Sequence, residues 1–283
     1  MVAAVGRTGP LCAGIDPSAG LLAAWGLPDD ASGLRAFGAA CVEAFAGVVP
    51  VVKPQVAFFE RHGAAGLAAL EELIGTARSA GLLVIADAKR GDIGSTMEAY
   101  ADAWLGTGPL AADAVTAVPY LGLGALEPLL VAARANGRGV FVVVRSSNPE
   151  GRPLQEAVVG GTGDVGGRSV EDTLLGQIAD LNRVEGTAVG SVGAVIGATL
   201  APSAFSPADL RGPILAPGIG AQGATAEDAA GLFAGCPAGT VLPNVSRSVL
   251  AAGPSVEGLR AAATAARDEL AAAFDPGPAA GAA

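Results

Sequence analysis

Short apolar runs rich in β-branched residues alternate with longer helix-like stretches eight times along this chain of 283 residues. That alternation is the tightest constraint on its fold. The strand-like runs lie at 11–15, 48–52, 82–86, 114–118, 140–144, 194–197, 214–216 and 240–245. The helical patterns between and after them cover 31–46, 63–80, 95–105, 124–135, 169–184, 202–210, 226–233 and 256–274. Strands separated by helices pair in parallel, because a parallel connection needs a crossover that a hairpin cannot supply. Eight such units fit a closed (β/α)8 barrel, the TIM barrel, better than an open sheet. No composition shift marks a second domain, so residues 1–274 read as one barrel. The Pro-, Gly- and Ala-rich tail 275–283 reads as disordered. Residues 150–167, rich in glycine and polar side chains, read as a loop excursion over the barrel mouth.

Charge and residue usage narrow the chemistry. A net charge of −10 argues against a nucleic-acid partner or an anionic membrane surface. No apolar run reaches the roughly 18 residues of a spanning helix, and the first residues lack the pattern of a secretory signal. Cys12, Cys41 and Cys236 have neither metal nor redox spacing, and read as buried thiols in a reducing cytoplasm. The single histidine, His62, reads as a surface residue at the polar start of a helix. With one histidine and no clustered cysteines, histidine-based triads and ordinary zinc sites drop out. Proton transfer must then come from Lys, Asp, Glu or Tyr.

The residues that interrupt the apolar pattern fall at strand C-termini: Asp16, Lys53, Asp87, Lys89, Asp92, Ser147, Gln222 and Arg247. In a barrel these ends share one face, where active sites of this architecture lie. Asp87 and Lys89 are two apart and leave a strand on the same side. Arg90 and Gly91 break that strand, and Asp92 follows on the turn. Buried charges must be paired, so Asp87, Lys89 and Asp92 are expected to form a network. It is either a salt-bridge plug in one barrel end or a proton-handling lysine between two carboxylates, and the convergence of the other polar residues favours the second. A glycine-rich segment, 218–223, precedes Arg247 by one loop. Together they read as a phosphate site, with backbone N–H groups and a guanidinium facing the oxyanion.

The segment Asp-Ala-Lys-Arg-Gly-Asp-Ile-Gly-Ser-Thr, from Asp87 to Thr96, resembles the D-x-K-x-x-D-I-x-x-T signature of the orotidine 5′-phosphate decarboxylase family. Asp16 in Gly-Ile-Asp-Pro, Lys53 in Val-Lys-Pro-Gln, Ser147 in Arg-Ser-Ser-Asn-Pro, the Pro-Gly-Ile-Gly-Ala-Gln-Gly segment and Arg247 follow in family order. Jointly they resemble its longer bacterial subgroup. One departure is Val118, where that subgroup leads us to expect Asn before Pro-Tyr-Leu-Gly.

The resemblance implies conversion of orotidine 5′-monophosphate to UMP and carbon dioxide in pyrimidine biosynthesis, with no metal and no cofactor. It implies that Lys89 protonates C6 and that Asp87 lies near the substrate carboxylate, within a Lys53-Asp87-Lys89-Asp92 array. Asp16 and Lys53 would contact the ribose and Ser147 the pyrimidine. Gly220, Gln222 and Arg247 would hold the phosphate under a mobile loop. Asp92, Ile93 and Thr96 would reach into a neighbouring subunit's site, which implies a homodimer. Other readings stay open at this level. One is a metal-dependent phosphosugar decarboxylase or aldolase in which Asp87 and Asp92 help hold magnesium. Others are a Schiff-base aldolase using Lys89 and a nucleotide-binding barrel without turnover.

Overall fold

Cys12, Val51, Ile85, Ala114, Phe141, Val195, Leu215 and Leu242 meet in one buried cluster, and each comes from a different strand. The computed structural model describes residues 1–160, 166–220 and 223–274. Within them lie β1 (Cys12–Ile15), β2 (Val51–Pro54), β3 (Leu83–Arg90), β4 (Ala114–Ala117), β5 (Gly139–Arg145), β6 (Val192–Ile196), β7 (Ile214–Pro217) and β8 (Val241–Val245). They pair in sequence order, all parallel, and the barrel closes where Cys12 and Ala13 of β1 face Asn244 and Val245 of β8. The cluster of eight is therefore the barrel lumen. The opposite face of each strand packs on the helices in a larger core that includes Phe37, Phe45, Leu70, Leu129 and Ile178.

Strand side chains alternate with a period of two, so the residue two beyond each lumen position also points inward, one layer nearer the mouth. That layer holds Lys53 above Val51, Asp87 above Ile85, Thr116 above Ala114 and Asn244 above Leu242, all four buried. An apolar floor and a polar layer above it thus come from one alternation.

Several boundaries differ from the sequence expectation for identifiable reasons. Lys53 lies inside β2 rather than after it. Val48 and Val49 close the preceding helix through N–H bonds to Phe45 O, and Gly47 turns the chain at φ 73°. β3 is not broken at Arg90 but runs through it across a bulge. The excursion 150–167 is not all loop. It carries short helical turns at Pro149–Gly151 and Arg152–Gln155, and Val158 pairs with Ser169; residues 161–165 lie outside the described residues. Helix 202–210 contracts to a 3-10 turn, Pro207–Leu210, because Pro207 fixes where it starts. His62 is half-buried rather than on the surface. Its imidazole Nε2 lies 3.5 Å from Asp29 Oδ1. Cys12 and Cys41 are buried, whereas Cys236 is only partly so. A helix not expected from the sequence, Val2–Thr8, places Val5 in the lumen cluster at the end away from the polar layer. Among the described residues no helix is long and apolar enough to cross a membrane. The tail 275–283 lies outside the described residues.

Phe141, 2% exposed, is the largest side chain among the eight strand residues of the lumen. Phe141→Ala is expected to destabilise the fold by about 3–5 kcal/mol, seen as a lower urea midpoint at unchanged m-value.

Candidate active site

Asp87 is the centre of the polar layer. Its Oδ2 accepts Lys53 Nζ and Gln55 Nε2, each at 2.9 Å, and its Oδ1 accepts Lys89 Nζ at 2.6 Å and Thr116 Oγ1 at 2.9 Å. Those four bonds use the acceptor capacity of an ionised carboxylate. Lys53 and Asp87 expose 6% and 9% of their side chains, but Lys89 exposes 48%. Both ammonium groups line the cleft where a ligand would sit, but Lys53 is almost wholly covered and Lys89 is half open.

Lys89 reaches this position by an unusual route. It has φ 49°, left-handed for a residue with a long side chain, and it lies in the β3–β4 bulge between the pairs Ala86–Val115 and Arg90–Ala117. Arg90 then anchors the strand end. It donates to Ala88 O at 2.8 Å, pairs with Glu60, and lies over the rings of Tyr100 and Trp104 at 5.6 and 5.5 Å. Beyond this anchor the chain turns outward. Asp92 does not join the network expected of it within the chain, because its carboxylate turns back to accept Ile93 N–H at 2.8 Å. Ile93, 61% exposed, and Thr96 face solvent outside the cleft.

The cleft above the polar layer has a volume of about 280 Å3 and is lined by Asp16, Lys53, Asp87, Lys89, Ser147 and Arg247, among others. Asp16 accepts a hydrogen bond from Ser246, and its other oxygen, Oδ1, is buried without a partner. Gly14 permits this pairing, since a Cβ there would lie 2.6 Å from Ser246 Cβ. Ser147 sits beside Gly197 at the end of β6. Gly218 and Gly220 hold φ of 108° and 72°, as the tight loop after β7 requires, and Arg247 opens the short helix Arg247–Leu250 across the cleft. Gln222 lies outside the described residues. Val118 lines a separate, apolar groove, and its backbone N–H bonds Arg90 O at 2.8 Å. Gln55 and Thr116 were not expected at the site from the sequence. Gln55 and Thr116 were legible from strand alternation, two beyond Lys53 and Ala114, whereas the Ser246–Asp16 pairing joins opposite ends of the chain and leaves no local signal.

The matched sequence family has the same architecture. The model of the orotidine 5′-phosphate decarboxylase / HUMPS family matches residues 9–262. The chain belongs to this family. It is 53% identical to the orotidine 5′-phosphate decarboxylase of Corynebacterium efficiens over 263 residues, 92% of this chain and 91% of that one. A crystal structure from Streptomyces avermitilis, provisionally designated with the same activity, superposes with a TM-score of 0.90 at 51% identity, covering 96% of this chain and 94% of that one. The Leishmania donovani OMP decarboxylase gives 0.74 at 30% identity, covering 96% of each. Orotidine 5′-phosphate decarboxylase, a carboxy-lyase of pyrimidine biosynthesis, is the activity of this chain, and orotidine monophosphate its substrate.

Electrostatics fix the charge state of the decarboxylase's central pair. Burial alone would raise the Asp87 carboxyl, but the charges and hydrogen bonds of Lys53 and Lys89 reverse that and hold it well below the usual carboxylate range. Burial likewise opposes the Lys53 ammonium, yet Asp87 and Asp16 raise it above an ordinary lysine. Cys12, beneath them, is pushed up to about 12 by burial and stays a thiol. Because Asp87 is depressed on folding, the unfolded chain binds more protons in the acid range. The stabilisation by Asp87 is thus complete above its unfolded pKa near 4 and is lost as pH falls through the folded value. Lys53 has the opposite sign: its contribution is complete below about 10 and is lost as pH rises through the raised folded value. Asp87→Asn should therefore flatten the loss of stability below about pH 4, measured by denaturant unfolding at a series of pH values.

Proposed function

We propose that Lys89 is the general acid of the decarboxylation and that no cofactor takes part. The observation that carries this reading is the half-exposed Lys89 ammonium held 2.6 Å from the buried, ionised Asp87. Loss of carbon dioxide leaves an electron pair on C6 of the pyrimidine. A fixed ammonium beside C6 stabilises that charge as it develops and then transfers a proton, giving UMP and a neutral amine that solvent reprotonates. Asp87 sits near the substrate carboxylate, whose departure relieves like-charge repulsion. Asp16, with its orphaned buried oxygen, and Lys53 take the ribose hydroxyls, and Ser147 the pyrimidine. Gly220, Gln222 and Arg247 take the phosphate, and closure of their loop on it drives assembly of the site. A magnesium-dependent reading is disfavoured because lysine, glutamine and threonine donors already fill both oxygens of Asp87.

The enzyme acts in the cytoplasm as a homodimer, with Asp92, Ile93 and Thr96 of each subunit completing the partner's site. Their outward placement and the exposed Tyr120 and Leu121, 77% and 54% accessible, support this. Loss of orotidine 5′-monophosphate absorbance in EDTA tests the chemistry. Rapid turnover by the wild type and a loss of at least about a thousandfold in Lys89→Ala are expected. Retained turnover in that variant would remove Lys89 from the mechanism. Shared sites make a second prediction: Lys89→Ala and Asp92→Ala chains, each inactive alone, recover about a quarter of wild-type activity after random subunit exchange. No recovery on exchange would mean that each chain builds its own site.

A further inference from the structure

We propose that Thr116 is a positioning residue for the decarboxylation, fixing the Lys89 ammonium through both its backbone and its counter-ion. The proposal rests on the reading of Lys89 as proton donor. Between the pairs Ala86–Val115 and Arg90–Ala117, residues 87–89 of β3 lie opposite Thr116 alone, so the ladder offers Lys89 no carbonyl. Its N–H goes instead to Thr116 Oγ1, at 2.9 Å. A hydroxyl has one proton to give, and Thr116 gives it to Asp87 Oδ1 at 2.9 Å, the oxygen that also takes Lys89 Nζ at 2.6 Å. The result is a closed circuit: Lys89 N–H donates to threonine, threonine donates to aspartate, and the same lysine's ammonium donates to that aspartate.

Each link answers a specific need. A lysine at φ 49° relaxes unless something over-determines it, and the bond from its own amide to a 1%-exposed hydroxyl does so. Asp87 alone leaves the flexible lysine stem free to swing about one carboxylate, whereas anchoring both ends of Lys89 to one hydroxyl–carboxylate pair restricts where the ammonium sits. Thr116 is the only polar residue of β4, and its apolar neighbours offer no substitute acceptor. Reaction through a proton donor depends steeply on such placement, whereas Thr116 itself makes no ribose or phosphate contact in this reading, and Lys53 meets Asp87 through the other oxygen, Oδ2. Loss of the hydroxyl should therefore appear in kcat rather than in KM.

Thr116→Val keeps shape and branching and removes only the hydroxyl. Its kcat for orotidine 5′-monophosphate should fall at least about tenfold with KM within about twofold, while Thr116→Ser stays near wild type in both. Hydrogen exchange at the Lys89 amide should quicken in the valine chain and not in the serine chain, a change that a general packing defect would not confine to that amide. A valine variant with kcat within twofold of wild type, or one that changes KM alone, overturns the proposal. Should that chain fail to fold, Thr116→Cys, a poor donor, carries the same comparison, and near-wild-type kcat there overturns it equally. Lys89→Ala run in parallel separates the two ideas. Turnover without Lys89 refutes its role as donor, whereas an inactive lysine variant beside an unimpaired valine variant refutes only the role of Thr116.

Discussion

A carboxylate buried between two ammonium groups is the constraint around which the rest is arranged. Taken singly, Asp87 in the barrel would be too costly to keep ionised, and Lys53, sealed in beside it, would be no cheaper. Together with Lys89 they satisfy one another, and Gln55 and Thr116 take the remaining lone pairs. Removing any one member strands a charge, which is why such clusters tolerate little substitution. Their arrangement also leaves one cation partly uncovered at the base of a cleft. That asymmetry in exposure sets the cluster apart from a fully buried ion pair. Arg145 and Glu171 form the contrasting case, paired at 2.9 Å with both side chains buried and outside the charged cleft.

The barrel supports this arrangement through repetition. Each strand contributes an inward apolar residue, and the next inward position is free to vary because the mouth is open. Polar chemistry can then concentrate in one layer without disturbing the packed floor. The departures from regularity fall where the chemistry is. The β3–β4 bulge, the left-handed Lys89 and the close approach of Gly14 to Ser246 all border the cleft.

Much of this was legible in the sequence because it is local. The eight short apolar runs and the charged residues that end them place Lys53, Asp87 and Lys89 on one face without reference to any structure. The motif from Asp87 to Thr96 carried the family. What sequence reading missed depends on geometry that spacing does not encode. Asp92 was grouped with Asp87 and Lys89 because it follows closely, but the Arg90 anchor and the turn after it send its side chain elsewhere. Two valines before Pro50 resembled the start of a strand, yet they finish a helix. The partnership of Asp16 with Ser246 spans nearly the whole chain and exists only once the barrel has closed.

The helix Val2–Thr8 has a related history. Its Val5 belongs to the buried cluster that draws one residue from every strand, Leu242 of β8 among them. This helix precedes β1, yet its seat includes a residue of β8, the last strand of the barrel. That seat is complete only where β8 has closed on β1. The helix is thus a latch whose keeper is the closed barrel itself, so it ties the start of the strand order to its end.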